Sequence, residues 1–94
     1  MELTVGSKVV LLREMLNEKV GSVGYAFSEY EDFDGLGRGV QIIFQNGSLD
    51  GFSVKEQNLY LENLGVDQRF SMYDFKNVNQ VYNDWRKGYW RFND

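Results

Sequence analysis

Arg38-Gly-Val-Gln-Ile-Ile-Phe-Gln-Asn-Gly-Ser-Leu-Asp-Gly-Phe52 is the stretch whose reading decides the fold. Val40, Ile42 and Phe44 alternate with Gln41, Ile43 and Gln45, the period of a strand with one face in a core. Asn46-Gly47 follows at once. It is the strongest two-residue hairpin signal, because both central positions of a type I′ turn need positive φ. A short return strand then runs through Leu49 to Phe52. Strict pairing across a two-residue loop would set Phe52 opposite Gln41, on the wrong face from Phe44, so a bulge is expected at Asp50-Gly51.

Working outward, residues 3–13 read as a first strand, with Val9-Val10-Leu11-Leu12 apolar on both faces and therefore covered on both sides. Residues 20–27 read as a second strand, with Val23, Tyr25 and Phe27 on one face and Ser22, Gly24 and Ala26 on the other. Glycines inside a strand mark a bend or a close backbone approach. Residues 28–37 form a polar loop. Val54 to Asn58 reads as a single helical turn, and Leu59 to Glu62 as a last short strand. Five short strands separated by turn signals point to a small barrel.

Gly6-Ser-Lys-Val-Val, Val20-Gly-Ser-Val-Gly, Gly39-Val-Gln-Ile-Ile-Phe, Asn46-Gly and Asn58-Leu-Tyr-Leu, in that order, resemble an SH3-like barrel of the KOW type and related small bacterial barrels. The resemblance covers roughly residues 4–62. It implies a mainly β fold, a five-stranded SH3-like barrel followed by a C-terminal α-helix. The motifs are glycine and hydrophobic spacings, so the likeness concerns fold and carries no functional residue. That family includes ribosomal, transcriptional, peptide-binding and enzyme-subunit modules. This chain departs from the nucleic-acid-binding members in being acidic, and it lacks the tryptophan pair of a peptide-binding groove.

Beyond Leu64-Gly65 the pattern changes. Ser71 followed by Asp74 makes an N-cap signal. Phe75, Val78, Tyr82, Trp85 and Tyr89 recur at spacings of three and four. With Arg86 and Lys87 in the last turn and Gly88 as a C-terminal stop, the spacing predicts a helix over 72–87. Eight of the 15 aromatic residues lie between Phe70 and Phe92, and such a helix would plug the open end of the barrel with them.

The 94 residues are sized for one domain, 1–66 forming the barrel and 67–94 the helix and aromatic tail. No run is apolar enough to span a membrane, and the N-terminus lacks the layout of a signal peptide, so the expected compartment is the cytoplasm. Asn, Lys, Tyr and Phe usage suits an accessory protein of an AT-rich bacterium or its phage. Cysteine and histidine are both absent, which removes thiolate chemistry, Cys-based zinc sites and the usual general base. Ser7 and Lys8 are strand neighbours and point to opposite faces, so they form no nucleophile–base pair. No catalytic residue, cofactor or metal site is expected, and the chain reads as a non-enzyme.

Net charge is −4, unevenly spread. Residues 1–66 carry five Lys/Arg against ten Asp/Glu, and residues 67–94 carry five against four. An acidic body repels phosphate backbones at long range. Two clusters are candidates for partner binding. The first is the acidic loop, Glu29, Tyr30, Glu31, Asp32, Phe33 and Asp34. It is no EF-hand, since aligning Gly35 to the sixth position puts Tyr30 first and Gln41 last, where carboxylates belong. It reads either as a solvated loop or as a recognition loop for a basic protein surface. The second is the tail, Arg86, Lys87, Trp90 and Arg91. It reads as packing on the barrel, as a protein hot spot, or as a platform for single-stranded bases. The leading expectation is a protein partner, with a nucleic acid as the alternative and no membrane.

Overall fold

Alternating large apolar and small or polar residues fold this chain into five antiparallel strands of one sheet, in a computed structural model that describes residues 2–31, 35 and 37–93. The strands are β1 (Ser7–Leu11), β2 (Val23–Tyr30), β3 (Gly39–Phe44), β4 (Leu49–Ser53) and β5 (Leu61–Val66). A helix, α1 (Val54–Tyr60), joins β4 to β5, and α2 (Val78–Arg86) lies near the C-terminus after a short 3₁₀ turn at Gln68–Phe70. The sheet order is β4-β3-β2-β1-β5. The outer strands β4 and β5 do not pair with each other, so the sheet is not closed into the expected barrel. No helix among the described residues is long and apolar enough to cross a membrane.

The central hairpin forms, with a different turn. Ile42 pairs with Asp50 and Ile43 with Leu49. The Gly47 N–H donates to the Phe44 carbonyl at 2.8 Å, and the Phe44 N–H to the Ser48 carbonyl at 2.9 Å. The loop therefore holds three residues, Gln45, Asn46 and Gly47, with Gly47 at φ 89°. A three-residue loop with its last position left-handed is the next commonest hairpin connection. The extra loop residue sets Phe52 opposite Val40, on the core face, without the bulge expected at Asp50-Gly51.

Two cores result, one on each face. Val9, Leu11, Ala26, Val40, Ile42, Phe44, Phe52 and Leu61 fill the inner face with Leu3. Gln57 of α1 closes it at one side. Its Oε1 accepts from the Leu3 N–H at 3.0 Å and its Nε2 donates to the Phe52 carbonyl at 3.1 Å, so a buried amide is satisfied. Gly24 meets its expectation of close approach, since a Cβ there would lie 2.6 Å from Ile42 Cγ2. On the outer face, Tyr25, Phe27 and Ile43 pack against Phe70, Val81 and Trp90.

The C-terminal helix is shorter than its periodicity predicts and sits elsewhere. It starts after Asn77, whose side chain accepts from the Gln80 N–H at 3.1 Å. Ser71 instead closes the 3₁₀ turn, its N–H donating to Gln68. Residues 71–76 stay irregular, which lets Tyr73 and Phe75 lie on the outer core. Val81 is the buried residue of α2, and Val78 of the expected stripe is largely exposed. The C-terminal end agrees with the expectation: Lys87 is the C-cap, and Gly88 follows at φ 75°. Helix and tail cover the outer face of the sheet rather than plugging an open end.

Candidate functional site

The acidic segment begins inside the sheet. β2 runs three residues further than its sequence suggests, so Glu29 and Tyr30 are strand residues paired with Val40 and Gly39. Gly39 has no side chain, and the Tyr30 ring lies across it: a Cβ there would overlap the Tyr30 hydroxyl and the Phe52 carbonyl. Tyr30 Cε1 also stands 3.7 Å from where a Cβ of Gly51 would be. The ring is thus laid on backbone, a device that offsets the weakness of glycine in a strand.

At this end of the sheet is a small cleft of about 110 Å³, lined by Glu2, Leu3, Glu29, Tyr30, Glu31, Arg38 and Gln57 among others. Arg38 is the cleft's one cation among the described residues, and its guanidinium is engaged by Glu2 in an exposed ion pair. Glu29 accepts from the Val5 N–H at 3.4 Å, which ties the N-terminal segment to β2. Burial, and then the charge of Glu56, holds the Tyr30 hydroxyl above its usual value. Glu56 is itself fixed, as the third residue of α1 in a capping box with Ser53. Carboxylates from the N-terminal segment, β2 and α1 therefore meet at one end of the sheet. Such a surface attracts ammonium and guanidinium groups and can hydrogen-bond them.

Of the sequence-predicted loop residues, Glu29, Tyr30 and Glu31 border this cleft. Asp32, Phe33 and Asp34 lie outside the described residues. Glu2, Arg38 and Glu56 were not singled out by sequence reasoning. The Ser53-x-x-Glu56 capping box is the one sequence signal that could have placed any of them.

The second cluster does not join the first. Trp85 rests on the hairpin turn, its Nε1 donating to the Gln45 carbonyl at 3.2 Å. Arg86 and Lys87, exposed and next in sequence, are thereby held toward the turn end of the sheet, away from Tyr30 and Gly39. Trp90 is 4% exposed and packs among Tyr25, Phe70, Tyr73 and Tyr89. The Arg91 carbonyl accepts from the Tyr25 hydroxyl at 2.8 Å and from Lys8 Nζ at 3.3 Å, pinning the tail back onto β1 and β2. The Arg91 residue itself is exposed.

Among the described residues, no group of three or more His, Cys, Asp and Glu side chains is placed to hold a metal ion. Compared with known proteins, the chain matches no family model, no curated protein and no solved structure.

Proposed function

We propose that this chain is a non-catalytic protein-binding module, an SH3-like barrel in its lineage of folds, whose acidic end takes a lysine or arginine side chain from a basic partner. The strand order, with a short helix between β4 and β5, supports the fold reading. The observation that carries the function is the cleft at this strand end, lined by Glu2, Glu29, Tyr30 and Glu31, with Arg38 already paired. A cation entering the cleft gains carboxylate contacts. Asp32 and Asp34 add two negative charges to the same stretch of sequence.

Burial of Trp90 weighs against the nucleic-acid alternative, because a base needs an exposed ring face to stack on. Calorimetric titration with an unstructured lysine-rich peptide tests the proposal. Binding should weaken as salt rises and should be lost in Glu29→Gln/Glu31→Gln. Equal affinity for the wild type and the neutralised variant would overturn it, and so would salt-sensitive binding of oligo-dT with quenched tryptophan fluorescence.

A further inference from the structure

The acidic cleft has a neighbour. An open groove of about 570 Å³ adjoins it, lined by Thr4, Val5, Val66, Met72, Tyr73 and Asp74 among others. Glu29 lines both. The N-terminal segment passes from one to the other, with Glu2 and Leu3 on the cleft and Thr4 and Val5 on the groove. The Val5 N–H donates to Glu29 at 3.4 Å, so this short run and the Glu29 side chain form the partition between the two.

Backbone contacts fix the sides of the groove. Gly6, at φ 92°, lies so close to the end of the 3₁₀ turn that a Cβ on it would stand 2.8 Å from Ser71 Cα. The Gly6 carbonyl also accepts from the Asp67 N–H at 2.9 Å. The N-terminal turn and the segment after β5 are thereby pressed together. Apolar surface left outside the two cores gathers here. Met72 is 90% exposed, and Val66, at the end of the edge strand β5, is 44% exposed. Single exposed apolar residues are ordinary, but these two line one concavity with Val5. Its charged lining is Glu29 and Asp74, and among the described residues no Lys or Arg lines it. Arg69, in the same segment, is held by Asp67 through bonds of 3.0 and 2.6 Å.

We propose that the partner segment carries a large apolar residue close to its basic one, and that this groove takes it while the acidic cleft holds the cation. The proposal deepens the reading of the acidic end as the binding surface and rests on it. Charge selects the occupant. Glu29 and Asp74 favour a chain that is itself cationic, which a second copy of this protein, at net charge −4, is not. Val5, Val66 and Met72 favour an apolar side chain on that chain, and the flexible thioether of Met72 adapts to varied shapes. The partition sets the spacing. Glu2 and Val5 are three residues apart, at most about 11 Å of extended chain. A lysine and a leucine two or three positions apart in an extended peptide therefore reach both hollows.

Calorimetric titration with a peptide of clustered lysines followed by serines, and with twins in which one serine is leucine, tests this. A leucine two or three positions beyond the last lysine should tighten binding about tenfold, near the lower bound for burying that side chain. That increment should persist as salt rises, while the lysine contribution falls. Met72→Ser should remove the increment and leave the leucine-free peptide bound as before. Met72 is exposed, so the exchange spares both cores. Binding of the leucine-free peptide with no increment from leucine would overturn the groove and leave the acidic cleft standing. An equal increment from a leucine far along the serine run would do the same. Failure of every lysine peptide to bind would overturn both. Concentration-dependent dimers that Met72→Ser abolishes would overturn the proposal in favour of a second copy in the groove.

Discussion

Gly39 and Tyr30 stand directly opposite each other across β3 and β2, and the tyrosine ring occupies the space a side chain at residue 39 would need. That pairing makes an aromatic floor out of a strand end. Gly39→Ala should therefore cost about 1–3 kcal/mol through overpacking and displace the ring. A Tyr30→Ala background should restore only part of the loss, because the Phe52 carbonyl also crowds the new methyl. Chemical denaturation of the single and double variants reads both, and an unperturbed Gly39→Ala would remove the rigid floor.

Gly47 closes the hairpin under the Trp85 ring. Its φ of 89° strains any L side chain, and a Cβ there would come within 2.9 Å of Trp85 Cη2. Gly47→Ala should destabilise by at least about 1 kcal/mol. In a Trp85→Leu background the steric part should vanish while the conformational part remains. Matching denaturation midpoints for the parent and Gly47→Ala would contradict the turn geometry.

Ile42 and Phe44 lie in the inner core, Ile43 and Val81 in the outer one, and Gln41 is exposed. Ile42→Ala, Phe44→Ala and Ile43→Ala should each cost about 2–5 kcal/mol. Gln41→Ala should cost little. A mild Ile43→Ala would mean that the C-terminal segment does not cover the outer face.

Much of this architecture was legible in the chain. The period of two at Val40, Ile42 and Phe44 placed the central strand, and Asn46-Gly47 placed its turn. What local pattern could not supply was pairing at a distance. Turn length depends on which face Phe52 must join, so a three-residue loop replaced the expected two-residue loop and bulge. Phe75 opens the helical spacing Phe75, Val78, Tyr82, Trp85 and Tyr89, yet it lies before the helix and packs against Phe27 of the sheet. Tertiary packing overrode the stripe. At the candidate site, Glu29, Tyr30 and Glu31 were legible as an acidic run. Glu2, Arg38 and Glu56 were not, because the fold brings them together from three separate segments.

Tyr73 gives an alkaline signature. Its hydroxyl donates to Asp84 at 2.8 Å, and burial, then that bond and charge, raises it well above its usual value near 10. A raised phenol contributes stability that is full below pH 10 and is lost as pH rises through the raised value. Thermal midpoints should therefore fall above pH 10, and fall less steeply in Tyr73→Phe. Identical slopes for the two proteins would show that the Tyr73–Asp84 bond does not govern this range.

Amide chemical-shift mapping tests the acidic cleft most directly. The ¹⁵N-labelled protein would be titrated with the lysine-rich peptide at low salt, with Glu29→Gln/Glu31→Gln as the paired sample. Saturable shifts should gather at residues 2–3, 29–31, 38–39 and 54–57 and disappear in the neutralised variant. Shifts centred on residues 86–91, or a wild-type spectrum unchanged by the peptide, would contradict the assignment of the acidic end as the binding surface.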